Sequence, residues 1–148
     1  MSSAERARFL EATLEPQIRA EIAIHNGDVE PRLSTWSHRD PVTLFGAGVP
    51  VRTGWPDVHQ VFQWLATTMT ECEEYEFELL AADADGDLAY MVGIERYRAK
   101  NAAGTPRNVT LRATHVYRRE PEGWKIVHRH GDHPPDDVSV APTGRGRG

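Results

Sequence analysis

The sequence predicts an α+β fold: a cone-shaped, curved antiparallel β-sheet wrapped around N-terminal helices. Apolar residues recur every three to four positions in the first part of the chain and alternate with polar ones from Tyr75 onward. Short turn sequences (Asp85-Gly86, Ala103-Gly104-Thr-Pro106, Glu120-Pro-Glu-Gly123) separate the alternating runs, as in consecutive antiparallel strands. Helices first and a meander of strands later is the α+β order.

From Ala4 to about Ile24, the stripe Phe9, Leu10, Leu14, Ile18, Ile22 predicts the first helix, with a kink or restart expected at Pro16. His25-Asn26-Gly27 closes it, because Asn and Gly tolerate the left-handed conformation. Asp28 is placed to cap a short second helix carrying Leu33 and Trp36. Val42 to Phe45 is expected as a short strand, Gly46 to Pro50 as a turn, and Val51-Arg52 as its return. Thr53-Gly-Trp-Pro56 opens a third helix with Val58, Val61, Phe62 and Leu65 on one face. Four strands follow: one through Tyr75, Phe77, Leu79 and Ala81, then Leu88 to Ala99, Arg107 to Arg119, and Gly123 to about Asp132. Residues 1–134 are expected to form one domain, and the Pro-, Asp-, Ser- and Gly-rich residues 135–148 a disordered tail.

Composition narrows the function. The 148 residues suffice for one core, and 39% hydrophobic content with four tryptophans suits a globular protein despite a mean hydropathy of −0.55. A net charge of −5 argues against nucleic-acid partners, which call for a basic patch. No apolar run approaches the roughly 20 residues that span a bilayer, so no membrane partner is expected. The single cysteine, Cys72, and an N-terminus without an apolar signal segment lead to the expectation of a cytoplasmic location. Asp83-Ala-Asp85-Gly-Asp87 departs from the calcium-loop pattern by its early glycine and by Ile94 at the twelfth position. No cofactor motif is present, and no cofactor is expected.

Trp124, Ile126, His128, His130 and Asp132 lie two apart, so strict alternation puts them on one face of the last strand. That face begins apolar and is therefore expected to point toward the helices. His128 and His130 would then line an enclosed hollow, where His130 can act as acid or base near neutral pH, with Asp132 orienting it. The alternative is that both histidines are hydrogen-bonded wall residues. His128-Arg-His-Gly-Asp-His133 also spells the HxHxDH signature of metallo-β-lactamase-like hydrolases, but the further ligands of that fold have no counterpart after His133. Two imidazoles on one strand face can still converge on zinc, although no metal is assigned.

On the preceding strand, Arg112, Thr114 and Val116 form one face, and Leu111, Ala113, His115 and Tyr117 the other. If the first set points inward, Arg112 is a buried cation that pairs with a carboxylate such as Glu95 or meets an anionic ligand. In the catalytic set, Arg112 joins His130 and Asp132. Trp36, Phe45, Trp55 and Trp64 can close a pocket over a flat apolar molecule, and with Tyr90, Thr114 and His128 they make up the candidate ligand-binding residues.

Several of these segments resemble one superfamily. Gly27-Asp28 before a short helix, Trp36-Ser-His-Arg-Asp-Pro-Val-Thr-Leu-Phe-Gly46, Gly54 before a helix, and Leu111-Arg-Ala-Thr with Gly123-Trp-Lys-Ile-Val-His-Arg-His130 are similar to nuclear-transport-factor-2-like proteins, in particular the SnoaL-like and ketosteroid-isomerase-like group. The Gly123 to His130 ending also resembles the association domain of calcium/calmodulin-dependent kinases. The resemblance spans about residues 5–133. It implies a helix-filled cone, a pocket at its open end for a small-molecule ligand, and a homodimer formed through the sheet. It further implies a cofactor-independent isomerase, cyclase or dehydratase acting on a small apolar or aromatic substrate, or a non-catalytic binding or oligomerisation module of the same fold. The steroid isomerases' general-base aspartate, oxyanion-hole tyrosine and protonated aspartate fall near Phe45, Ala20 and Thr114. None is retained, so steroid isomerase chemistry is not expected.

Overall fold

A computed structural model describes residues 2–136. Nearly all of the expected tail, from residue 137 on, lies outside the described residues. Three helices precede the main strands, as expected: α1 (Ser2–Ile24), α2 (Glu30–Thr35) and α3 (Trp55–Leu65). Between α2 and α3 runs a hairpin of β1 (Thr43–Gly46) and β2 (Val49–Thr53). Then come β3 (Met69–Asp85), β4 (Leu88–Asn101), β5 (Pro106–Glu120) and β6 (Gly123–Asp132). The six strands make one sheet in the order β2-β1-β6-β5-β4-β3, antiparallel except where β1 runs parallel to β6. It is curved and unclosed, with α1 laid across its concave face.

α1 passes through Pro16 without the expected interruption. The proline removes one helical N–H, but packing against β3 and α2 carries the helix across it. Its most buried face also differs from the expected stripe. Leu10, Leu14, Ile18 and Ile22 are only half-buried, while Phe9, Thr13, Gln17, Ala20, Glu21, Ile24 and His25 face the sheet. Gly54 starts α3 at φ +91°, a conformation that side chains disfavour, and Asp40 Oδ1 accepts the Trp55 N–H at 2.8 Å in place of a local cap. The apolar core joins Phe9, Ile24, Trp36, Phe62, Met91, Tyr117 and Ile126.

Irregularities in pairing bend the sheet. β3 changes register three times against β4, and Glu71 and Glu74 take positive φ where the first two shifts occur. The consequential irregularity is on β6. Tyr117 pairs with Ile126 and Val116 with His128, so Val127 is an extra residue. A side chain's face reverses across such a bulge. Trp124 and Ile126 therefore point into the cone, but beyond Val127 it is Arg129 and Gly131 that are buried. The expectation that His128, His130 and Asp132 face the hollow is overturned for this reason. On β5 the inward set is Leu111, Ala113, His115 and Tyr117, which places Arg112 and Thr114 on the outer face.

Candidate functional site

The concave interior is polar to an unusual degree. α1 contributes Thr13, Gln17 and Glu21, and His25 follows directly after its last residue at the same spacing of four, all buried. Arg32 enters from α2, Glu95 and Tyr97 from β4, His115 and Tyr117 from β5, and Arg129 from β6. Alternation on β4 and β5 and the β6 bulge aim the strand residues at the helix stripe.

Two interlocked ion pairs organise these groups. Arg32 Nη2 lies 2.6 Å from both Glu21 carboxylate oxygens, and its guanidinium sits 4.7 Å from the centre of the Phe62 ring. Arg129 binds Glu95 through two bonds, Nη2 to Oε1 at 2.7 Å and Nη1 to Oε2 at 3.1 Å. It also approaches Glu21 at 3.7 Å. Tyr75 donates to Glu95 Oε2 at 2.7 Å. Glu95 is 0% exposed, and burial alone would raise its pKa. The Arg129 guanidinium and the Tyr75 hydroxyl outweigh burial and hold it at about 2. Two guanidinium groups thus face two carboxylates, and the charges cancel within the interior.

The two interior histidines are neutral, and their hydrogen bonds fix their tautomers. Arg129 Nη1 lies 3.0 Å from His115 Nε2. A guanidinium only donates, so Nε2 accepts and the proton sits on Nδ1. Burial, followed by the Arg129 charge, lowers the His115 pKa to about 3. His25 Nδ1 lies 2.7 Å from the Glu21 carbonyl oxygen, which only accepts, so this nitrogen carries the proton. Nε2 is then free to accept the Tyr97 hydroxyl at 3.1 Å. Burial lowers the His25 pKa, partly offset by the Glu21 charge. Burial raises the Tyr97 pKa, so both partners rest in their uncharged forms.

This dyad opens onto a cavity of about 260 Å³ at the wide end of the cone. His25, Tyr97, Arg32 and Arg129 provide its polar wall, and Leu44, Val61, Phe62, Leu65 and Leu111 its apolar one. The β1–β2 turn, Trp64 and His133 form the rim, and Trp64 is 52% exposed there. An uncharged imidazole with a lone pair toward a phenol, at the wall of an apolar cavity, can accept and return a proton near neutral pH.

Of the candidate ligand-binding residues, Trp64 lines this cavity and the others do not. Trp36 is buried core, edge-on to Phe62 at 5.0 Å. Trp55 stacks between His38 and His59 at 4.2 and 5.3 Å. Phe45 stands on the outer face against His128 and His130. Tyr90 and Thr114 line a shallow outer groove beside Leu88. His128 Nδ1 pairs with the Thr43 hydroxyl at 2.7 Å. The expected catalytic trio does assemble, but outside. Arg112 binds Asp132 at 2.7 and 3.0 Å, and His130 Nε2 lies 3.6 Å from Asp132. The side chains of His130 and Arg112 are 48% and 54% exposed. The expected pairing of Arg112 with Glu95 does not form: Glu95 is buried, and its partner is Arg129. Among the described residues, no three His, Cys, Asp or Glu side chains converge as metal ligands would. Nor is any described helix long and apolar enough to cross a membrane.

Sequence comparison matches residues 19–135 to the SnoaL-like domain, so the chain belongs to the SnoaL-like family. Several solved structures share the fold. A candidate dehydratase of the nuclear-transport-factor-2-like family from Streptomyces avermitilis is 24% identical, with TM-score 0.67 over 87% of this chain and 97% of that one. A candidate aromatic ring hydroxylase from Novosphingobium aromaticivorans is 16% identical, with TM-score 0.72 over 89% and 91%. A candidate calcium/calmodulin-dependent protein kinase II association domain from Xanthomonas campestris is 20% identical, with TM-score 0.61 over 85% and 86%. These likenesses establish the nuclear-transport-factor-2-like fold. No curated protein matches the chain significantly.

Proposed function

We propose that this SnoaL-like protein is a cofactor-independent small-molecule enzyme, an isomerase, cyclase or dehydratase, in which His25 and Tyr97 move the proton. The observation that carries the proposal is the His25 Nε2 lone pair held against the Tyr97 hydroxyl at the cavity wall. A proton leaving the substrate passes to the Tyr97 oxygen as the Tyr97 proton passes to His25 Nε2. The imidazolium that results is stabilised by the Glu21 carbonyl on Nδ1 and by the Glu21 charge. Return of the proton to another substrate atom completes an isomerisation or cyclisation. Return to a departing hydroxyl completes a dehydration, the activity suggested for the Streptomyces avermitilis relative. The self-cancelling ion pairs and apolar walls favour an uncharged, apolar or aromatic substrate.

The experiment is deuterium uptake from D2O, followed by mass spectrometry, across a panel of small neutral ketones, phenols and aromatic alcohols. The wild type is expected to exchange a substrate hydrogen, and His25→Ala and Tyr97→Phe to lose about a hundredfold or more of the rate. Full exchange in both variants would overturn the assignment.

The non-catalytic reading draws on Arg32 and Arg129 at the cavity wall, which suit a carboxylate if a ligand displaces their present partners. Stabilisation by simple carboxylates without any exchange would favour it. We also propose a homodimer through the outer sheet face, where Phe45, Leu80, Leu88 and Tyr90 are exposed, and a cytoplasmic location. Sedimentation at micromolar concentration tests the dimer.

A further inference from the structure

We propose that the groove between α1, α2 and the start of β6 is a second ligand site, for a small amphipathic acid with a hydroxyl at the end opposite its carboxylate. The groove measures about 550 Å³ and shares no lining residue with the cavity at the cone mouth. Its apolar walls are Pro16, Ile22 and Ala23 of α1, Pro31 of α2, and Trp124 of β6.

Unpaired polar groups lie in its lining and just behind it. Tyr117 lines the groove, is 2% exposed, and its hydroxyl has no hydrogen-bond partner among the described residues. The ring is fixed by Phe9, edge-on at 5.0 Å. Ala12 also lines the groove, and its carbonyl lacks the usual helical donor because position 16 is proline. Gln17, one turn beyond groove-lining Thr13 on the same helix face, is buried with both amide atoms unpartnered. Buried hydroxyls and amides are ordinarily paired, so this concentration points to a hydrogen-bonding guest. In the proposed complex a ligand hydroxyl accepts from Tyr117, and the Ala12 carbonyl is a further acceptor in the same lining.

The outer lining is cationic. Arg19 is exposed, and among the described residues it pairs with Glu15 alone, at 3.3 Å. Lys125 donates to the Ser34 carbonyl at 2.7 Å, which leaves two N–H groups for a carboxylate. A hydroxyl beside Tyr117, an apolar body between Pro16 and Trp124, and a carboxylate near Arg19 and Lys125 describe a phenolic acid.

The test is titration calorimetry with 3-(4-hydroxyphenyl)propionate and with 3-phenylpropionate, which lacks only the hydroxyl. The wild type is expected to bind the phenol at least about tenfold more tightly. Tyr117→Phe, which removes one oxygen from a packed ring, should erase that preference. Ala23→Phe, which adds a ring to the groove lining, should weaken both acids by about tenfold or more. A wild type that binds neither acid, or both equally, would overturn the proposal. So would a preference that survives Tyr117→Phe, or unchanged binding in Ala23→Phe. Because His25 and Tyr97 lie outside the groove, the outcome is independent of the proton-transfer assignment.

Discussion

Replacing His115 by glutamine should flatten the acid side of the stability profile. His115 is fully buried, and burial with the Arg129 charge takes its pKa to about 3, from an ordinary value of about 6.5 when unfolded. The folded value is the lower one, so the unfolded chain binds more protons between these limits. Stability is full above pH 6.5 and falls as the pH drops toward 3. One full proton corresponds to about 1.4 kcal/mol per pH unit, and because uptake is only half complete at pH 6.5, the loss between pH 6.5 and 4.5 is about 2 kcal/mol. That is a large share of the roughly 5–15 kcal/mol that holds a domain together. His25, also lowered by burial, adds in the same direction. Glu95 does not interfere, because its stabilisation is present above about pH 4.5 and is lost only as the pH falls toward 2. In His115→Gln, the amide oxygen can still accept from Arg129, but nothing titrates. Urea unfolding by circular dichroism at pH 7, 6 and 5 should show the wild type losing more stability than the variant, by about 0.7 kcal/mol from pH 7 to 6 and about 1.2 kcal/mol from pH 6 to 5. Parallel slopes would refute a neutral, buried His115 and the hydrogen-bond network drawn around it.

Arg129→Met should cost about 3–5 kcal/mol in urea unfolding, since it strands the Glu95 carboxylate without its partner. Arg112→Ala and His130→Ala, on the solvent side of the sheet, should leave the melting temperature of the monomer unchanged within error. Cys72 should react with a disulfide reagent at pH 7.5 about tenfold or more slower than free cysteine, because burial and then Glu21 push its thiol up to about 11.

The fold was legible because its signals are periodic. Helical spacing around Val58, Val61 and Phe62 and alternation along β4 and β5 both translate directly into elements. The site was less legible for two physical reasons. Alternation along β6 assigns His128 and His130 to the Trp124 face, and only the pairing with β5 reveals the extra residue at Val127. No local residue type announces that bulge. The second reason is that the first helix was traced by its apolar residues, whereas its sheet-facing side carries Thr13, Gln17, Glu21 and His25. Their regular spacing of four was present in the sequence. Polar groups at that spacing ordinarily mark a solvated face, and only the charged and aromatic partners from four other elements make them an interior. Arg129 illustrates both points, being turned inward by the bulge and made tolerable there by Glu95.

The most direct measurement is a crystal structure with a bound neutral aromatic compound chosen for raising the melting temperature. A polar atom of that compound is expected within hydrogen-bond distance of the Tyr97 hydroxyl or His25 Nε2, with its body beneath Trp64. A compound seated instead against His128 and His130 on the outer face, with the cone mouth unchanged, would contradict it.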